Sequence, residues 1–296
     1  MKEAGPDRPG LVAGEARPGV ARPWVARLGE QRIEGVLFDY GLTLVTFVRP
    51  EAALRRAYAE IAARIRAAGI DPAPSAGTLL HEVHDRVEQE VARHDQGDAL
   101  EEVDVRALER RAYADHGLLL GEAFLDEAAA LAQRAWWEGV SVGPGAVQTL
   151  TELRSRGLRL GICSNAPYPC MRAQLEHLGI ARLFDSVTLS AEVGWRKPSP
   201  RIFSAALAAL GVESRACAMV GDRRREDVAG ARAAGMAAIR VSEHRDDAGP
   251  EDADRVIARL RDLPKLLFGQ HTAVTSVVAS VATATSQRLH RSGEDR

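Results

Sequence analysis

The sequence predicts an α/β fold: a parallel sheet covered on both faces, broken after its first strand by an all-helical insert. Three observations carry that expectation. From residue 146 onward, short apolar runs ending in polar residues alternate with helical segments. One further run of this kind, residues 33–38, stands far upstream of the others. The stretch between, residues 51–139, is rich in Ala, Leu, Arg and Glu at helical spacing. Repeated β-α units with short connections imply parallel strands with helices on both faces.

In chain order, residues 1–31 carry Pro, Gly, Ala and Arg without a period and read as a flexible tail. The run 33–38 ends at Asp39, with Gly41 just beyond, as a buried strand leading into a loop would. In the insert, Leu54, Ala57, Tyr58, Ile61 and Ile65 share one helical face, and breaks are expected near Asp71-Pro72, Asp95-Gln96-Gly97 and His116-Gly117. After Gly143-Pro144-Gly145 a helix through Leu150 and Leu153 stops at Gly157, and a strand follows over 158–163. A helix over 171–178 and a strand over 187–189 come next. Ser199 is placed as an N-cap with Pro200 in the first turn of a helix ending before Gly211. Strands over 216–220 and 237–241, with helices over 227–234 and 252–260, complete the pattern. The expected division is a core of residues 32–48 and 142–268, a helical cap of 49–141, and a flexible tail over 269–296.

Composition narrows the function classes. The 296 residues, with 39 Lys+Arg against 41 Asp+Glu, are long enough to bury a core and show no basic excess for nucleic acid or an anionic membrane. No run approaches the roughly 20 apolar residues of a membrane-spanning helix, and mean hydropathy is −0.18. The N-terminal region is punctuated by Pro6, Pro9, Pro18 and Pro23 and offers no apolar stretch of an export signal. Cys163, Cys170 and Cys217 form no CxxC pair, which argues against a disulfide framework or structural zinc and fits a reducing cytoplasm. Lysine occurs only at Lys2, Lys197 and Lys265, so chemistry that needs an ammonium has few candidates.

Ligands of open parallel sheets bind outside the carboxyl ends of the strands, and those ends are polar here. The first strand ends at Asp39 and the second at Ser164-Asn165; Arg196-Lys197-Pro198 follows the third, and Gly221-Asp222 closes the fourth, with Asp227 beyond it. Carboxylates, a hydroxyl and a lysine near one point can hold a divalent cation and a phosphoryl group, with one carboxylate as nucleophile.

These four segments resemble the four motifs of the haloacid dehalogenase (HAD) superfamily, in the subgroup whose helical cap is inserted after the first motif. Motif one is read as Phe38-Asp39-Tyr40-Gly41-Leu42-Thr43-Leu44, motif two as Ser164, motif three as Lys197-Pro198, and motif four as Gly221-Asp222 with Asp227. The resemblance implies a Rossmann-like parallel sheet core with an inserted all-α cap domain. It implies a Mg²⁺-dependent phosphatase acting on a small phosphorylated metabolite through an aspartyl-phosphate. Asp39 would be the nucleophile, Ser164 and Lys197 would bind phosphoryl oxygens, and Thr43 would steady the loop and the phosphoryl group. Asp227 would orient Lys197 or a metal-bound water, and Asp39, Asp222 and the Gly41 carbonyl would hold Mg²⁺. Asn165 and Arg49 are further candidates for substrate binding. No nucleic-acid or membrane partner is expected.

Position 41 departs from the pattern, because the family's phosphatases carry a second Asp there as general acid and base, and Gly41 cannot move a proton. Two alternatives follow: a metal-independent hydrolase that releases halide, and a non-catalytic phosphate-binding or regulatory protein.

Overall fold

Apolar strands with no polar side chain to expose are stable only inside a sheet covered on both faces, and Val36, Leu37 and Phe38 are wholly buried in this way. The computed structural model describes residues 25–168, 170–245 and 252–269. Its strands are β1 (Ala26–Leu28), β2 (Gln31–Ile33), β3 (Gly35–Phe38), β4 (Val45–Phe47), β5 (Val140–Val142), β6 (Arg159–Ser164), β7 (Ser186–Leu189), β8 (Cys217–Gly221), β9 (Ala237–Val241) and β10 (Arg255–Ile257). Six of them form one parallel sheet in the order β10-β9-β8-β3-β6-β7. One face is packed by a cluster that includes Val36, Phe38, Leu150 and Leu160, the other by Leu37, Ile202, Phe203 and Met219.

Helix Pro200–Leu210 begins as expected: the Ser199 hydroxyl accepts from the Arg201 amide at 3.3 Å, and Gly211 ends the helix at φ 68°. The cap is helical, with helices Glu51–Ala67, Arg86–Gln96, Val105–Ala114 and Glu122–Trp137. It has its own core around Leu54, Ile61, Ile65, Leu79 and Leu125. The chain enters and leaves it through the antiparallel pair β4–β5, in which Val45 faces Val142.

Three expectations require correction. The residues placed in the N-terminal tail include 26–31, yet β1 and β2 form an antiparallel hairpin that buries Ala26, Leu28 and Ile33 in the main core; residues 1–24 lie outside the described residues, as do 270–296 of the C-terminal tail. The helix expected over 252–260 is instead the edge strand β10, anchored where Asp254 Oδ2 accepts from the Ala238 amide at 2.8 Å, followed by the helix Leu263–Phe268. Its β-branched Val256 and Ile257 suit a strand beside β9. The helix expected from Asp227 starts earlier, as a π-wound turn Arg224–Ala229 that continues into Gly230–Ala233.

The basic residues from Arg223 onward grip the cap. Arg223 Nη1 donates to both carboxylate oxygens of Asp95 at 2.9 Å, and Arg225 donates to the Gly97 carbonyl at 3.0 Å. Arg196, 4% exposed, pairs with Asp95 and, at 3.0 Å, with Glu102. The backbone joins in: Arg196 N–H donates to Leu100 O at 2.8 Å and Glu102 N–H to Gly194 O at 3.0 Å. Burial pushes the Asp95 carboxyl up, but Arg223 and Arg196 outweigh it and hold the group below its usual range.

Candidate active site

Strand register brings the polar residues together. Phe38 lies opposite both Ile162 of β6 and Val220 of β8, so Asp39, Ser164 and Asp222 emerge at the same edge. The Asp39 amide continues the ladder, donating to Val220 O at 2.9 Å. Lys197 Nζ donates to Asp39 Oδ1 and to Asp227 Oδ1, each at 2.6 Å, and Ser164 Oγ lies 3.4 Å from Asp39 Oδ1. Asp39 Oδ2 has no hydrogen-bond donor among the described residues.

Each member is positioned by its surroundings. Asp227 Oδ2 accepts from the Arg223 amide at 2.9 Å, which fixes the carboxylate that holds Lys197. Asn165 clamps the Lys197 backbone from both sides, accepting its N–H at 2.7 Å and donating to its carbonyl at 3.1 Å. A Cβ at Gly221 would stand 2.3 Å from the Asp227 carboxylate, so only glycine allows that close approach. Asp39, Lys197, Asp222 and Asp227 are all buried.

Burial lifts Asp39 above the ordinary carboxylate range, against the pull of Lys197 and with the push of Asp227 and Asp222. Burial alone would lower Lys197, but Asp227 and Asp39 outweigh it and hold the ammonium charged. Burial also raises Asp222, whose Oδ2 accepts from Arg245 Nε at 2.9 Å. Among the described residues its buried Oδ1 has no partner, and carboxylate oxygens of Asp39, Asp222 and Asp227 lie within 4.8 Å of one another. An orphaned carboxylate oxygen within an all-oxygen donor set suits a hard divalent cation such as Mg²⁺.

Of the residues singled out in the sequence, Asp39, Ser164, Asn165, Lys197, Asp222 and Asp227 meet here, and two do not. Arg49 pairs within the cap, at 2.7 Å to Glu51 and 2.5 Å to Asp85, and is not among the residues lining the cavity beside Ser164. Thr43 is buried, but its hydroxyl has no partner among the described residues, and the residue borders a separate small gap with Gly143 and Glu243. Gly41 does line the site. Its backbone avoids the left-handed region, which is occupied instead by Leu42 at φ 58°, and a Cβ there would stand 3.1 Å from the Phe47 ring.

Between this edge and the cap lies a cavity of about 390 Å³. Gly41, Ser164, Asn165 and Ala166 line its core end; Tyr58, His84, Glu88, Glu109 and Trp136 come from the cap, and Tyr168 from the loop after β6. These cap residues and Arg245 escape sequence reasoning, since no spacing rule links positions 88, 109 and 168. Tyr40, beside Asp39, carried the one available signal by adjacency; its hydroxyl donates to Gln174 Oε1 at 2.8 Å.

Comparison with known proteins agrees with this geometry. Residues 33–235, more than half of the chain, match the family model of the haloacid dehalogenase-like hydrolases. The chain is 39% identical over 112 residues to a glyceraldehyde 3-phosphate phosphatase of Methanothermobacter thermautotrophicus, covering 38% of this chain and 50% of that protein, so it spans about half the length of this relative. It is 35% identical over 188 residues to a phosphoglycolate phosphatase of Rhodospirillum rubrum, covering 56% of this chain and 76% of the relative. The crystal structure of a HAD phosphatase from Thermococcus onnurineus superposes with TM-score 0.55 at 27% identity, over 79% of this chain and 97% of that one. With the parallel sheet, the four strand-end segments and the match over 33–235 in agreement, the chain belongs to the haloacid dehalogenase-like hydrolase family.

Proposed function

We propose that the protein is a phosphomonoester phosphatase in which Asp39 is the nucleophile. The observation that carries this reading is Lys197 Nζ bridging Asp39 and Asp227 at 2.6 Å beside Ser164, which lines the cavity between sheet and cap. Lys197 and Ser164 occupy Asp39 Oδ1, which leaves Oδ2 to attack phosphorus; the ester P–O bond breaks, the alcohol portion leaves and takes up a proton, and water then cleaves the aspartyl-phosphate to release inorganic phosphate and restore the carboxylate. The ammonium of Lys197 and the Ser164 hydroxyl bind the phosphoryl oxygens whose charge grows in the transition state. Asp227 and Asn165 act by holding Lys197 in place. Asp39, Asp222 and the Gly41 carbonyl would hold Mg²⁺, which when bound offsets phosphoryl charge. The cap shields the reaction from bulk water.

A panel of phosphomonoesters assayed with and without Mg²⁺, with halide release from short haloacids measured alongside, tests this reading. Mg²⁺-dependent phosphate release is expected. Halide release without metal would replace it with the dehalogenase alternative, and ligand binding without turnover would replace it with the non-catalytic one. The relatives' names, glyceraldehyde 3-phosphate and phosphoglycolate phosphatase, support small phosphorylated metabolites as the substrate class. The described residues include no helix long and apolar enough to cross a membrane.

A further inference from the structure

The cap end of the cavity has an unusual lining for an enzyme of anionic metabolites. Glu88 and Glu109 border it together with Tyr58, Trp136 and Tyr168, and among the described residues no lysine or arginine lines it. The nearby guanidinium groups are engaged elsewhere or shared: Arg49 holds Glu51 and Asp85, while Arg106 contacts Glu109 at 3.2 Å and also pairs with Asp126. Glu88 accepts from the Tyr168 hydroxyl at 2.6 Å. His84, tilted against the rings of Tyr58 and Trp136, adds no positive charge, since burial and the neighbouring Arg49 push its pKa down to about 4.

Resting on the phosphatase reading of this site, we infer that the alcohol portion of the substrate carries a cationic nitrogen, so that the preferred substrate is the phosphate monoester of an amino alcohol. A cation is attracted to the faces of aromatic rings and to carboxylates together, and both are gathered here around a cavity that opens onto Ser164. The same lining opposes a leaving group with a carboxylate of its own, because two acidic side chains would face it without a lining cation. Burial raises both glutamates, Glu109 to about 7, against the pull of Arg106 on Glu109 and of Arg49 on Glu88, and a bound cation would favour their charged forms further.

The test compares choline phosphate and ethanolamine phosphate with 3,3-dimethylbutyl phosphate, the uncharged counterpart of the choline ester, and with 2-phosphoglycolate, all in saturating Mg²⁺. At least one cationic ester is expected to exceed the neutral counterpart tenfold or more in kcat/KM, with 2-phosphoglycolate lowest. A preference for the choline ester assigns recognition chiefly to the rings, and a preference for the ethanolamine ester chiefly to the carboxylates. In Glu88→Gln, and separately in Glu109→Gln, the ratio of cationic to neutral ester is expected to fall at least threefold. Calorimetric binding of the same esters to Asp39→Asn gives a readout independent of turnover and is expected to show the same order. Equal handling of cationic and neutral esters, or a preference for 2-phosphoglycolate, would overturn the inference while leaving the phosphatase reading intact. Failure to hydrolyse any phosphomonoester, including an aryl phosphate, would overturn both.

Discussion

At the scale of single residues, Asp39 is the proposed nucleophile and Gly41 marks the departure. Asp39→Asn keeps a side chain of similar shape within bonding distance of Lys197 but removes the nucleophile, so phosphate release is expected to fall about 10³-fold or more with the fold retained by circular dichroism. Gly41→Asp is sterically feasible, since the backbone there is not left-handed and the obstacle is the half-exposed Phe47 ring at 3.1 Å. If the native enzyme lacks a proton donor, this variant should raise turnover of alkyl phosphates by about 10²-fold while changing aryl phosphates much less, because a positioned acid contributes that order of rate. An equal effect on both substrate types would place the proton donor elsewhere. His84 provides a third expectation. Its folded pKa, pushed down by burial, lies below the unfolded value, so the unfolded chain takes up the proton first as pH falls. Stability is therefore complete above pH 6.5 and drains as the pH drops toward 4, and His84→Phe should flatten that slope in a melting-temperature series, by at most about 3 kcal/mol.

Among the elements, legibility followed the reach of local rules. The strand ends at Asp39, Ser164 and Asp222 were readable because an apolar run that stops at a polar residue identifies both a buried strand and the atom presented at its end. Ser199-Pro200 was readable because the cap and the first turn are contiguous. The β1–β2 hairpin was not, since three-residue strands of mixed polarity sit beside a Pro- and Arg-rich stretch and acquire their meaning only by docking on Leu267 and Phe268. β10 was misread for a similar reason: its pairing with β9 is a tertiary choice that overrides the local pattern. The hairpin yields a measurable consequence. A chain beginning at residue 32 loses the buried Ala26 and Leu28, and burial of one leucine is worth about 1.5–3 kcal/mol, so it should melt well below a chain beginning at residue 25. Equal melting temperatures would show that the hairpin adds nothing to the core.

For the whole molecule, the division into sheet and cap was visible from composition, but the way the two bodies are fastened was not. Arg196, Arg223 and Arg225 are separated by more than 90 residues from Asp95, Gly97 and Glu102, and nothing local couples them. The Asp95 side chain is about one-third exposed, so screening tempers the pairs, and Asp95→Ala is expected to cost about 1–2 kcal/mol. Hydrogen exchange at the Glu102 and Arg196 amides, which bond across the seam, should quicken in that variant while exchange in β3 stays slow. Unchanged protection at the seam would show that the backbone bonds hold without the charges.

That fastening shares its anchor with the strand-end cluster. The residue that clasps the cap, Arg196, immediately precedes Lys197 in the chain. The guanidinium that holds Asp95 and Glu102 and the ammonium that bridges Asp39 and Asp227 therefore hang from adjoining links of one backbone, and a single short loop braces both the seam and the carboxylates beside it.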